Sequence, residues 1–228
     1  MDEWYSIGGF NDPMSSLSHL VGCVIFFVLA IFLLISAWKS RSRLLYCLQF
    51  SVATLFMLSM SFVYHMMAVG GVARDVMLRL DVAAIFVLIA STFTVIHGLL
   101  FEGRKRWLIP LFLWLIVVVG VTLRTIFFHS IPSIVGDGIF LLMGWLGAVS
   151  SWLLWKEFGI EGVKVVFLGG VLYTVGAIVN ALGMPTLIPM VWGPHESFHL
   201  LVLAGLGAHW GFVMSIADGT FQRKTGRR

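Results

Sequence analysis

Three histidines and one aspartate carry most of the chemistry this sequence offers. His195 and His199 stand four residues apart, so on a helix they share one face. Those two imidazoles and a third from another segment, His65, make an open three-histidine zinc site. Its fourth position is left for water, the pattern of catalytic zinc. Zinc lowers the pKa of such a water to about 7, and Asp81 is placed to accept its proton or orient it. Ser61, four before His65, falls on the same helix face. It can hold an outer hydrogen bond or donate to a substrate oxygen.

A rival pattern occupies the same stretch. His195-Glu196-Ser197-Phe198-His199 also matches H-E-x-x-H, in which Glu196 would be the general base of a metalloprotease. That chemistry needs a third ligand downstream, and only His209 and Asp218 follow. His209 is about 15 Å further along a helix, and Asp218 belongs at the opposite membrane face. Each residue also has a plainer reading. A histidine near a helix end is commonly interfacial or packed, and Asp81 can pair with Arg74 or Arg79 or cap its helix. The joint placement of all four is what favours a site.

That placement depends on the elements that carry them. Of the 228 residues, 59% are hydrophobic and 11% charged, against about 25% charged in soluble domains. The mean hydropathy is +0.98. Runs of about 20 apolar residues suffice to span a bilayer, and seven are expected, near 17–38, 44–69, 78–101, 107–127, 134–155, 163–183 and 195–216. The fold class is therefore an all-α, seven-transmembrane helix bundle. A single domain over 1–228 is expected, with a short N-terminal segment 1–16 and a basic tail 218–228. Odd spans begin and even spans end on the N-terminal side. His65 closes span two, Asp81 opens span three, and His195 and His199 open span seven. All four then lie at one depth, where ionisable groups are costly and mark function.

The remaining polar residues sort by depth. His19 opens span one at the same level and is a candidate for the site's outer sphere. His97 lies at the other end of span three, His209 too deep, and His129 in an ill-defined connection. Cys23 and Cys47 read as small buried residues near opposite faces. Ala204 and Ala208, Gly207 and Gly211, and Gly169, Gly170 and Gly176 read as close-packing positions between helices.

Loop charges suggest an orientation. Arg74, Arg79 and Arg124 lie on the N-terminal side. Lys39, Arg41, Arg43, Arg104, Lys105, Arg106, Lys156, Lys164, Arg223, Lys224, Arg227 and Arg228 lie on the other. The positive-inside rule then puts the N-terminus outside and the C-terminus in the cytoplasm. The net charge of +4 is a topology signal and implies no nucleic-acid partner. A cleavable leader is not expected, because Asp2, Glu3 and Asp12 precede a long apolar run.

Ser61-Phe62-Val63-Tyr64-His65, Leu80-Asp81 and His195-Glu196-Ser197-Phe198-His199-Leu200-Leu201-Val202-Leu203-Ala204-Gly205 together resemble the haemolysin III family. Met143-Gly144-Trp145-Leu146 and Gly169-Gly170-Val171-Leu172-Tyr173-Thr174-Val175-Gly176-Ala177-Ile178 add to the likeness, which runs from about Ser18 to about Gly211. That family belongs with the adiponectin and progestin receptors and, more distantly, the alkaline ceramidases. The resemblance implies a seven-helix bundle, zinc on His65, His195 and His199, a water held by Asp81, and Ser61 in support. Val82 and Val95 depart from residues common among bacterial relatives, away from the ligands. The receptor relatives orient their N-terminus to the cytoplasm, whereas the ceramidase-like ones match the charge bias.

The expected function is a zinc-dependent hydrolase of a lipid amide or ester, in a bacterial plasma membrane, its lipid substrate entering from the bilayer. The alternatives are a non-enzymatic membrane-lipid homeostasis or sensing protein with structural zinc, and a pore-forming haemolysin. The pore reading lacks a polar stripe along any span. Partners are membrane lipids, and homo-oligomerisation stays open.

Overall fold

Asp12-Pro13 begins the first helix, with Asp12 in the N-cap position and Pro13 at the first helical residue, where its missing N–H costs nothing. The computed structural model describes residues 10–127, 130, 133–189 and 191–221, with the side chains of 133–137 and 141 outside the description. Within these residues the chain forms α1 (Pro13–Ala37), α2 (Arg41–Met66), α3 (Val72–Leu100), α4 (Arg104–Ile126), α5 (Ser133–Phe158), α6 (Ile160–Leu182) and α7 (Pro194–Ala217). All seven are long and apolar enough to cross a membrane. The expected spans are recovered, with shifted ends. His129, Pro132 and the tail charges Arg223, Lys224, Arg227 and Arg228 lie outside the described residues.

Three boundary shifts have physical causes. α1 starts at Pro13 rather than near residue 17, which makes the Asp12–Ser18 segment part of the bundle's end. α3 starts at Val72, six residues before the expected 78, and the added turns carry Arg74, which finds a partner at the bundle's end. Arg74 pairs with Asp12 at 2.9 Å, and the Arg79 guanidinium donates to the Thr125 carbonyl at 3.0 Å. Between α5 and α6 the expected loop shrinks to Gly159, whose φ of 71° lets one residue separate two helices.

Sequential helices pack side by side, and α1 closes on α7. α3 runs through the middle, touching α2, α4, α5 and α7. Apolar side chains cover the outside: Phe27, Ile31, Phe32 and Ile35 on α1 and Leu111, Leu115, Val118 and Val119 on α4 are exposed. Exposed apolar area on this scale suits lipid and not water. Polar residues turn inward instead, and Ser15, Ser16, His19, Ser61, His65, Glu196 and His199 are all buried. Below that polar end, Trp210 of α7 packs against Phe26 of α1 and Phe50 of α2, with ring centroids 5.2 Å and 4.9 Å away.

The small-residue expectation holds in part. A Cβ on Gly169 would lie 2.4 Å from His209 Nε2, and one on Gly205 would lie 2.8 Å from the Tyr173 ring. A Cβ on Gly176 would meet Leu201 and Phe198 at 3.2 Å. α6 and α7 therefore approach closely along this line. Gly170, Gly207 and Gly211 have nothing within 4 Å of a built Cβ, so they are not packing positions within the bundle. Cys23 and Cys47 are both free thiols.

Candidate metal centre

His65 leaves the last turn of α2, while His195 and His199 leave the first turns of α7. Their Nε2 atoms converge, with His65 to His195 at 3.3 Å and His195 to His199 at 3.1 Å. Ligand atoms of all three lie within 4.8 Å of one another. Nitrogens at about 2.05 Å from a tetrahedral ion stand about 3.3 Å apart, so the spacing suits one ion between them.

The opposite ring nitrogens explain the convergence. His65 Nδ1 donates to Asp12 Oδ2 at 3.2 Å, and His195 Nδ1 donates to Asn180 Oδ1 at 3.1 Å. His199 Nδ1 faces Ser18 Oγ at 3.4 Å, whose own proton goes to the Ser15 carbonyl at 2.8 Å. That carbonyl also bonds His199. With each Nδ1 acting as donor, each Nε2 presents a lone pair. Three lone pairs aimed at one point repel one another unless a cation sits there. This donor set, with every imidazole oriented from behind, is what a metal site requires.

The remaining residues of the site divide cleanly. Ser61 hydrogen-bonds Asp81, and Asp81 lies near enough to His65 for their charges to interact. The structure thus joins Ser61 to the carboxylate, and Arg74, one of the sequence-based partners for Asp81, is engaged elsewhere. Arg74 is held by Asp12, the Met67 carbonyl and the face of Tyr64, 4.6 Å from its ring centroid. Glu196 is spoken for at the start of α7. Its Oε2 accepts the Gly193 N–H at 2.8 Å and its Oε1 the Ser15 hydroxyl at 2.6 Å. It therefore caps α7 and ties α1 to it, so both carboxylate oxygens are engaged in holding helix ends rather than turned to the base role of the H-E-x-x-H pattern.

Asp12 and Asn180 were not legible as site residues. Asp12 reads as an acidic residue ahead of the first span, and Asn180 as a polar residue near the end of the sixth. Depth was the available signal, since the start of span one and the end of span six face the same side as His65. Burial on its own would raise the Asp12 carboxyl. Hydrogen bonds and charge from His65 and Arg74 outweigh it and hold the group below its ordinary value.

Of the other described histidines, His97 and His209 stand away from the centre and His19 lies against it. His97 Nδ1 donates to the Lys105 carbonyl and its Nε2 accepts from Ser150 Oγ, both at 2.7 Å, so it joins α3, α4 and α5. His209 Nε2 donates to the Val166 carbonyl at 3.1 Å between α7 and α6. His19 is buried and stacks on His199, with ring centroids 4.0 Å apart.

Residues 8–210 match the family described as Haemolysin-III related. The chain belongs to that family. Among relatives, it is 26% identical over 214 residues to the Hemolysin-3 homolog of Bacillus subtilis (strain 168), covering 90% of this chain and 93% of the relative. It is 28% identical over 130 residues to Hemolysin-3 of Bacillus cereus, covering 55% of this chain and 54% of that one. Every residue of the histidine centre falls within the matched family region.

Proposed function

We propose that this integral membrane protein is a zinc-dependent hydrolase that cleaves an amide or ester bond of a bilayer lipid. One observation carries the reading: three imidazole Nε2 atoms converge while a carboxylate, Asp81, stands beside them and outside the ligand group. A purely structural zinc site is closed by four protein ligands, whereas catalytic sites keep three and one open position. His65, His195 and His199 would hold the ion. Zinc there would polarise a carbonyl and bring a water's pKa to about 7.

The chain's own groups supply the rest. Asp81 orients the water through a carboxylate oxygen and accepts its proton, then returns a proton to the leaving nitrogen or oxygen. Ser61 donates to Asp81 and fixes its rotamer. The acyl chain of such a substrate would lie in the bilayer, against the apolar outer surface. The relatives' name fits this chemistry, since an enzyme that cleaves bilayer lipids weakens a membrane without forming a pore. The loop charges support a centre near the outer face of a bacterial plasma membrane, with the C-terminus in the cytoplasm.

The test uses purified full-length protein. Metal analysis should give one zinc per chain, lost in His195→Ala and kept in Asp81→Asn. Incubated with N-acyl and O-acyl lipids, wild type should release free fatty acid and Asp81→Asn should not. Undiminished zinc in His195→Ala would sink the ligand assignment. Full turnover in Asp81→Asn would sink the mechanism.

A further inference from the structure

We propose that His19 is the residue that grips the oxygen of the group occupying the metal's open position: a fourth imidazole that stands beside the ligands and binds substrate instead of metal. The inference rests on the metal centre described above and not on the bond being hydrolysed.

Two observations point to it. His19 is 4% exposed, yet neither of its ring nitrogens has a hydrogen-bond partner in the protein. Every other histidine among the described residues has at least one nitrogen bonded. A buried donor or acceptor without a partner costs about 1–3 kcal/mol, and a bound group that satisfied the ring would recover that cost. His19 also sits within the centre itself. Its ring lies flat on His199, with centroids 4.0 Å apart and planes inclined by 17°, and it is near enough to His65 and His195 to interact with charge on either.

The geometry excludes two other roles. Ligands of one ion aim their lone pairs at a common point, so their ring planes or axes must converge. Nearly parallel rings 4.0 Å apart send their lone pairs past each other, and His19 falls outside the group whose ligand atoms lie within 4.8 Å. His19 does not orient a ligand from behind either, because the Nδ1 of His199 already faces Ser18 and the Ser15 carbonyl. What remains is a ring with both nitrogens free to bond, packed against the ligand His199. Its N–H suits a carbonyl or oxyanion oxygen, the oxygen of a lipid amide or ester.

The experiment uses detergent-purified full-length protein loaded with Co2+, whose visible absorption reports the ligand sphere, and acetohydroxamate as the probe for the open position. His19→Phe keeps the stacked ring and removes both nitrogens, while His19→Asn keeps an N–H. Both variants should bind one Co2+ per chain with the wild-type spectrum. The acetohydroxamate Kd should rise about 10- to 100-fold in His19→Phe, as expected for a lost hydrogen bond to a charged group, and less in His19→Asn. Should His19→Phe not fold, His19→Leu against His19→Asn gives the same comparison. An unchanged Kd overturns the proposal, and so does loss of Co2+, which would make His19 a ligand. Wild type that binds no Co2+ or no acetohydroxamate would remove the centre and this role together. Co2+ and acetohydroxamate binding without lipid cleavage would count against hydrolysis alone.

Discussion

Replacing Asp12 should weaken metal binding although Asp12 touches no metal. Its carboxylate accepts from His65 Nδ1 at 3.2 Å and from Arg74 Nη2 at 2.9 Å, and its backbone N–H donates to the His65 carbonyl at 3.0 Å. The first contact fixes the His65 tautomer that turns Nε2 toward the centre. Outer partners of this kind contribute about 10- to 100-fold in metal affinity. Asp12→Asn keeps an acceptor for His65 and loses the charge, so its zinc Kd should rise about 10-fold. Asp12→Ala loses the acceptor too and leaves the Arg74 cation, 13% exposed, without its carboxylate. Its Kd should rise toward 100-fold. Two charge-assisted hydrogen bonds would ordinarily contribute about 1.5–3 kcal/mol each. Both side chains keep some contact with solvent, at 13% and 17% exposure, and screening reduces the value. The metal-free protein should therefore lose about 2 kcal/mol in Asp12→Ala. Chelator competition in detergent measures the Kd, and unfolding in excess chelator measures the stability. A wild-type zinc Kd in Asp12→Ala would refute the idea that Asp12 sets the His65 ring.

Other perturbations separate the roles of neighbouring groups. Zinc at a thousand times its Kd should stabilise wild type by about 4 kcal/mol and raise its thermal midpoint, and His65→Ala should show no such rise. Glu196→Gln should destabilise the protein by about 1 kcal/mol through the α7 cap while keeping metal and lipid cleavage. Loss of cleavage with metal retained would restore Glu196 as the base. Gly169→Ala places a Cβ 2.4 Å from His209 Nε2 and should cost about 1–3 kcal/mol in thermal unfolding. Gly170→Ala meets nothing within 4 Å and should be neutral or stabilising by up to about 1 kcal/mol.

The membrane class, the number of helices and the shared depth of His65, Asp81, His195 and His199 are written in the sequence. Each depends on a one-dimensional property: apolar run length, alternation of direction, and the four-residue spacing of one helical face. Helix ends were less legible, because Arg74 enters α3 where Asp12 receives it. The sequence also left open whether Ser61 holds an outer hydrogen bond or serves a substrate, whether Glu196 is a base, and whether His19 belongs to the centre. Those choices turn on which atoms meet across α1, α2, α3, α6 and α7. Equal depth cannot say where around the bundle a side chain points, and rotation of each helix about its axis is fixed only by packing against its neighbours. Tertiary structure alone thus put Asp12, Asn180 and Ser18 behind the three imidazoles and laid His19 flat against one of them.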